Sequence, residues 1–464
     1  MTAGTGRASP MSPVDVAWLR MDDPTNLMVV SGLLTFETPA DWSRLVETVE
    51  RRLLVFDRFR QRVVERGRLR RRLFWEEDPH FDLATHLRRY ALPSPGDEQC
   101  LREVVDRLVS TPLHPEMPLW QLHLIEGYGK GDALLARIHH AIGDGMALMR
   151  VLLSLTGEES EGSARAEPPE DAGLVAGLGE LAGSLVRGAG RLRPGRVFEV
   201  AGRGLASVGA AGHLLLRPAD PETALTGELG VEKRVAWSEE VPLDKVKRIG
   251  RITGCTVNDV LLAAVSGALR RYLEGRHPEG RDGRAAVPDV HAAVPVDLRR
   301  PDEPISLGNR FGLVFVSLPV SVKEPLERLF EVRRRMDRLK GSPEAGVALK
   351  ILAGVGLTSA RVQKRLVEWV GAKTTAVITN VPGPREPVHL AGSTVRSMMF
   401  WVPMSGRVGL GVSIFSYAGG VRLGVATDAG LVPDPERLVS GFQRQLGGYQ
   451  RLIRLPGSAS LKAR

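Results

Sequence analysis

Cysteine is almost absent. The 464-residue chain holds two, Cys100 and Cys255, whose placing suggests neither a disulfide framework nor a metal cluster. Both read as small, buried, apolar residues of a cytoplasmic protein, and no metal site is expected. No run of about 18 consecutive apolar residues occurs, so no membrane-spanning helix is expected. The stretch Met1 to Pro10 has no apolar core and is not read as a secretory signal. There is no Gly-x-Ser-x-Gly elbow and no other serine or cysteine nucleophile motif. Short-period repeats are missing too. Nucleic acid is disfavoured as a partner, because no binding motif and no basic stretch interleaved with aromatics is present.

What is present is an ordinary globular balance, 43% apolar and 25% charged, with length enough for two or three domains. Lysine and arginine exceed the acids 63 to 54, giving a net charge of +9 and a pI near 9.8. That excess favours anionic partners, acidic lipid or a polyphosphorylated molecule, against the plain alternative of a solvated arginine-rich surface.

Along the chain, Ser12 caps a first turn running to Leu19, Met28 to Phe36 reads as a strand, and Asp41 caps a helix through Leu45, Val49 and Leu53. Arg58 to Arg72 reads as an exposed strand pair with a charged outer face, and Phe81-Asp82-Leu83 as the start of another strand. Asp97 to Ser110 is an amphipathic helix, followed by a strand from Gln121 to Glu126. A glycine-rich turn then leads into the apolar run Ala133 to Ala136. The expected domains are 1–155, a linker with crossover helices over 156–230, and 231–464. Within the linker, 158–170 is acidic and rich in Pro, Ser and Gly. The part from 172 to 217 is basic with a leucine stripe, suited either to an anionic membrane surface or to packing as a crossover helix.

In the second half, helices are expected over Leu243–Thr253, Val260–Leu273, Lys323–Leu339 and Pro435–Leu452. Asn258 or Thr256 caps the second of these, and Asp259 suits the positive end of its dipole. Strands are expected at His291–Val296, Leu313–Leu318, Thr375–Thr379, Met398–Pro403, Val408–Tyr417 and Val421–Ala426. Asn380-Val381-Pro382-Gly383-Pro384 reads as a turn. Both halves mix sheet and helix, an α/β class with mixed sheets.

The chemistry centres on Arg137-Ile138-His139-His140-Ala141-Ile142-Gly143-Asp144-Gly145. The apolar run before it reads as a buried strand, and Met146, Met149, Leu152 and Leu153 after it repeat at helical spacing. An imidazole at a strand end is rigidly held and suits proton transfer near neutral pH. Asp144 either orients His140 directly or pins the loop, and Arg299, just after a buried strand, is the expected partner for pinning. Gly145 permits tight entry into the helix. Adjacent extended side chains point apart, so His139 and His140 are poorly placed to share a zinc. Direct transfer with His140 as general base is more economical than a covalent intermediate.

These residues resemble the HHxxxDG signature of CoA-dependent acyltransferases and peptide condensation domains. More specific matches are Ser12-Pro13-Val14-Asp15, Pro118-Leu119-Trp120, Asn258-Asp259, Pro295-Val296-Asp297-Leu298-Arg299, Leu307-Gly308-Asn309 and Asn380-Val381-Pro382-Gly383-Pro384. From about Ser9 to Leu452, their order and spacing resemble the bacterial wax ester synthase/diacylglycerol acyltransferases. The resemblance implies two chloramphenicol-acetyltransferase-like domains with a tunnel between them. It implies transfer from long-chain acyl-CoA to a fatty alcohol or diacylglycerol, with acyl-CoA as substrate and no resident cofactor. It implies His140 as base with His139 and Asp144 beside it, and Asn258 near the site. Gly145, Asp259, Arg299, Trp120 and Asn380 would bind substrate or support the site. Peripheral contact with a membrane or lipid droplet is a further expectation. The family commonly has Pro-Leu-Asp-Arg before the Pro-Leu-Trp motif; here Pro-Leu-His114-Pro115 stands in that place. Two other readings are a condensation-type acyltransferase using carrier-bound groups and a non-catalytic lipid-surface scaffold.

Overall fold

A computed structural model describes residues 8–67, 72–157, 219–276, 287–297, 299, 307–339, 371–404 and 407–452. The acidic stretch 158–170 and the basic segment 172–217 lie outside the described residues.

The chain opens with a short strand β1 (Ser9–Pro10) and helix α1 (Pro13–Met21). Ser12 caps α1 by accepting from the Asp15 amide at 3.1 Å, and Pro13 supplies the fixed φ of a first turn. Strand β2 (Val29–Phe36) and helix α2 (Trp42–Thr48) follow, the latter capped by Asp41 and prolonged by a wider turn, Val49–Leu53. Strands β3 (Gln61–Arg66) and β4 (Arg72–Glu77) form the expected charged pair. The segment expected to be a strand at Phe81 is instead a helical turn, α3 (Leu83–His86), because Asp82 caps it through the Ala84 amide; strand β5 (Leu87–Ala91) comes next. Helix α4 (Glu98–Val109), strands β6 (Trp120–Tyr128) and β7 (Gly131–His139), and helix α5 (Gly145–Ser154) complete this half.

The second half holds β8 (Lys233–Trp237), β9 (Val241–Pro242), α6 (Leu243–Thr253) and α7 (Val257–Glu274). Then come β10 (Val290–Asp297), β11 (Phe311–Leu318), α8 (Pro325–Leu339) and β12 (Ala376–Pro382). The last elements are β13 (His389–Leu390), β14 (Ser393–Trp401), β15 (Leu410–Tyr417), β16 (Gly420–Asp428) and α9 (Glu436–Leu452). Asn380, Val381 and Pro382, read as a turn, are strand: they pair in parallel with Ile414, Phe415 and Ser416, and the turn begins only at Gly383. Cys255 is buried as expected, but Cys100 is only partly covered on α4.

Two mixed sheets result. One has the order β11-β10-β12-β15-β16-β8, with β9 on β16; the other has the order β13-β14-β2-β7-β6-β5. Strand β14 belongs by sequence to the second half, yet it pairs antiparallel with β2, Leu34 opposite Met398. The next strand, β15, returns to the other sheet, so the chain steps between sheets at this point. Between them lies an apolar layer in which Leu33, Leu135 and Met399 of one sheet meet Val235, Trp237 and Ala426 of the other, with Leu101 and Val105 of α4. Asp106 of α4 accepts from the Val235 amide at 2.6 Å and joins the two halves with a polar contact. Burial raises the Asp106 carboxyl to about 6. Among the described residues no single helix is long and apolar enough to cross a membrane.

Candidate active site

Strand β7 is central in its sheet and buried along its whole length. Its end is held on both sides: the His139 amide donates to Leu119 O at 2.9 Å and the His140 amide to Met28 O at 2.7 Å. The Pro-Leu-Trp motif thus clamps the strand that carries the histidines. Trp120 is fully buried; its indole donates to Phe59 O at 2.8 Å and its ring stacks on His86. Through these contacts it supports the core at the base of the strand that carries the histidines. Before it, the departing residue His114 closes a local turn by accepting from the Glu116 amide at 3.3 Å.

Beyond His140 the loop is bound to a second segment. Gly143 and Gly308 form a parallel bridge, and the Gly308 amide donates to Ile142 O at 3.0 Å. Gly308 has φ of 105°, a conformation costly for any residue with a Cβ. This bridge brings Asn309 against His140. The Asn309 amide nitrogen donates to Asp15 Oδ1 at 2.9 Å and to His140 O at 2.8 Å. Both partners are pure acceptors, which fixes the amide's orientation and turns Asn309 Oδ1 toward His140 Nδ1 at 2.8 Å. The proton therefore sits on Nδ1, and Nε2 keeps its lone pair. Asp15 is fully buried and paired with Arg58 at 3.0 Å, and Arg58 also donates to Ala141 O at 3.2 Å and Ile142 O at 2.8 Å. Trp18 stacks on the His140 ring at 3.9 Å, with Phe311 at 5.6 Å.

In this setting burial pushes His140 down to about 4, while the Asp144 charge and the Asn309 hydrogen bond act in the opposite direction. The ring is neutral at pH 7 and able to accept a proton.

Asp144 does not touch the imidazole. It caps α5 by accepting from the Ala147 amide at 3.0 Å, accepts from the Arg310 amide at 2.9 Å, and pairs with Arg299 at 2.7 Å. The pairing read from the sequence is present. Arg299 also donates to Gly308 O at 2.7 Å and approaches Asp297 at 3.3 Å. The Asp297 carboxyl is raised chiefly by burial, with the neighbouring Asp144 charge adding to it. His139 Nδ1 accepts from the Ala141 amide at 3.0 Å and Nε2 faces Asp22 at 3.6 Å, so His139 shapes the turn. Gly145 opens α5 with free space where a Cβ would stand.

The Asn-Asp motif divides into two roles. Thr256, not Asn258, caps α7, in a reciprocal box with Asp259. Asn258, on the first turn, accepts from Asn380 at 3.0 Å, which joins two distant motifs. Among the described residues neither bonds to His140. Asp15, Trp18, Arg58 and Asn309 are the site residues that sequence reasoning missed as chemistry. Asp15 and Asn309 stand inside two of the matching motifs, Ser12-Pro13-Val14-Asp15 and Leu307-Gly308-Asn309, but those motifs do not say which residue they face. Arg58, expected at an exposed strand pair, turns inward because Asp15 and two loop carbonyls receive it.

A buried, tautomer-fixed histidine on a loop gripped by a second segment, between two mixed sheets, defines the class: a two-lobed HHxxxDG transferase fold. Residues 11–261 match the wax ester synthase/diacylglycerol acyltransferase catalytic domain, and residues 307–449 match the WS/DGAT C-terminal domain. The chain belongs to this family of O-acyltransferases, which move an acyl group from a donor to the hydroxyl of an alcohol or diacylglycerol. It is 30% identical over 471 residues to "Probable diacyglycerol O-acyltransferase tgs2" of Mycobacterium tuberculosis, covering 96% of this chain and 99% of that one. It is 28% identical over 465 residues to "Probable diacyglycerol O-acyltransferase tgs1" of the same species, covering 93% and 94%. Among solved structures it resembles the wax ester synthase/diacylglycerol acyltransferase of Marinobacter aquaeolei VT8, at TM-score 0.68 and 24% identity, covering 96% of this chain and all of that one. The first condensation domain of the calcium-dependent antibiotic synthetase shares the fold at TM-score 0.60 and 17% identity, covering 99% and 98%.

Proposed function

We propose that the protein transfers a long-chain acyl group from acyl-CoA to the hydroxyl of diacylglycerol or a fatty alcohol, with His140 as general base. The observation that carries this reading is the Asn309 hydrogen bond, which leaves the Nε2 lone pair of a neutral ring available. Nε2 removes the hydroxyl proton as the oxygen attacks the thioester carbonyl. The tetrahedral intermediate collapses with cleavage of the carbon–sulfur bond, and the CoA thiolate takes the proton back from the imidazolium. The ring begins neutral and ends neutral, so no resident cofactor is needed. Asp144 acts as a brace for the loop, and its charge favours the transient imidazolium. The two M. tuberculosis relatives, named as diacylglycerol O-acyltransferases, favour diacylglycerol as acceptor. The net charge of +9 suits the CoA phosphates and an anionic lipid surface met from the cytoplasm, at a membrane or a lipid droplet.

The test is thiol release from palmitoyl-CoA by the purified protein, with dioleoylglycerol or hexadecanol as acceptor and chromatography of the product. Triacylglycerol or wax ester formed by the wild type and lost in His140→Ala supports the reading. Full turnover by His140→Ala, or no product with either acceptor, overturns it.

A further inference from the structure

Ser12 and Asp15 at the start of α1 have the spacing of Thr256 and Asp259 at the start of α7. In α7 the acid turns back and accepts from the Thr256 amide at 2.8 Å, closing a reciprocal capping box. In α1 Ser12 caps the helix in the same way, but Asp15 gives both oxygens to remote partners. Oδ1 accepts from the Asn309 amide nitrogen at 2.9 Å, and Oδ2 accepts from Arg58 at 3.0 Å. Asp15 is 0% exposed, a buried carboxylate compensated by these two donors.

The arrangement needs two acceptors. An Asn at position 15 would have the same shape and a single oxygen. The charged Arg58 makes the stronger hydrogen bond and would claim that oxygen. The amide nitrogen at 15 would then face the Asn309 amide nitrogen, donor against donor. Asn309 relieves the conflict by turning over, which gives up its bond to His140 O and presents its nitrogen to His140 Nδ1. Nδ1 must then accept, the ring proton moves to Nε2, and the lone pair that serves as base is lost.

We infer that Asp15 is a positioning residue for the transfer: acting through Asn309, it selects which nitrogen of His140 is the base. The inference rests on the general-base reading of His140 and goes beyond it by naming, on a different helix, the side chain that sets the tautomer of the ring.

The experiment compares Asp15→Asn and Ser12→Ala with the wild type. It measures kcat and KM with palmitoyl-CoA and dioleoylglycerol, the melting temperature, and the nitrogen-15 spectrum of labelled histidine rings, with His140 assigned by its loss in His140→Ala. Asp15→Asn is expected to lower kcat by on the order of 10²-fold, the low end of what a general base supplies, with KM unchanged and the ring proton moved from Nδ1 to Nε2. Ser12→Ala weakens the same helix at its cap, so it should lower the melting temperature and leave kcat and spectrum as in the wild type. If Asp15→Asn does not fold, Asp15→Leu with Arg58→Met replaces the buried ion pair by apolar side chains of similar volume, a change that folds often tolerate. It is read against Arg58→Met alone, and a further loss in kcat of about tenfold or more supports the inference. A folded Asp15→Asn with wild-type kcat overturns it. So does one that loses kcat while the proton stays on Nδ1, one whose KM alone rises, an equal kcat loss in Ser12→Ala, or a double variant as active as Arg58→Met. The nitrogen-15 readout needs no turnover. A wild type inactive with every donor, but with its ring proton on Nδ1 and moved by Asp15→Asn, would instead defeat the acyl-transfer reading alone.

Discussion

Asn309 Oδ1 stands 2.8 Å from His140 Nδ1 and decides which nitrogen of the ring can take a proton. Asn309→Ala removes that control and leaves the ring free to turn or to hold its proton on Nε2. The expected loss in kcat is on the order of 10²-fold, within the range of general base catalysis, with little change in KM. Asn309→Asp places a carboxylate against Nδ1, which favours the imidazolium and moves the acid limb of the pH–rate profile upward. An unchanged profile in Asn309→Asp would show that residue 309 only packs.

The low basicity of His140 predicts a broad alkaline plateau. With the group near 4, kcat/KM should hold steady from neutral pH down to about 5 and then fall. Trp18→Ala uncovers one ring face, lessens the burial that lowers the value, and should bring the acid limb up toward 6. Stopped assays between pH 4 and 8 measure both limbs.

His123 is 2% exposed, and neither of its ring nitrogens has a hydrogen-bond partner. Burial lowers it to about 4, against 6.5 for a free histidine. An unfolded chain therefore binds a proton below 6.5 that the folded one refuses, so stability is lost as pH falls from 6.5 toward 4. His123→Leu should stabilise the fold by roughly 1–3 kcal/mol, because an unsatisfied polar group leaves the interior. It should also flatten the fall of Tm with acid. Calorimetry at pH 7 and pH 5 separates the two effects.

Arg299 serves the buried Asp144, the half-buried Asp297 and the Gly308 carbonyl. Arg299→Ala strands both carboxylates and should cost about 3–5 kcal/mol, seen as a lower denaturant midpoint. Asp144→Asn keeps the helix cap while weakening the pair, so its loss should be smaller. If both variants lose stability equally, the ion pair rather than the helix cap holds the loop.

Trp120→Phe discriminates support from substrate contact. It removes the donor to Phe59 O and should destabilise by about 1–3 kcal/mol, leaving KM for either substrate unchanged. A raised KM without lost stability would place Trp120 in the cleft.

The parts that the sequence made legible are those governed by near neighbours. Leu243–Thr253 is a helix to the residue, since its apolar stripe and a glycine at its end both lie within one stretch. The histidine loop was legible for the same reason, and Arg299 could be paired with Asp144 because a bidentate cation suits a turn that needs locking. The relay behind His140 was not legible. Asp15, Arg58 and Asn309 come from three remote segments, and only the docked loop brings them together. Local punctuation also misled: Pro382 and Gly383 suggested a turn throughout 380–384, but a parallel partner strand holds the first three residues extended.

Strand β14 has a consequence for how the protein is made. Leu34 emerges early from the ribosome and Met398 near the end, yet they are neighbours in one sheet. Until β14 has been synthesised, β2 presents an open edge rich in Val and Leu, a template for pairing with a second nascent chain. A fragment ending after α5 would keep that edge for good. The N-terminal lobe is therefore not a module that can be cut out or exchanged between relatives. Chimeras between family members should carry residues 393–401 from the same parent as β2, or they will be recovered as aggregates.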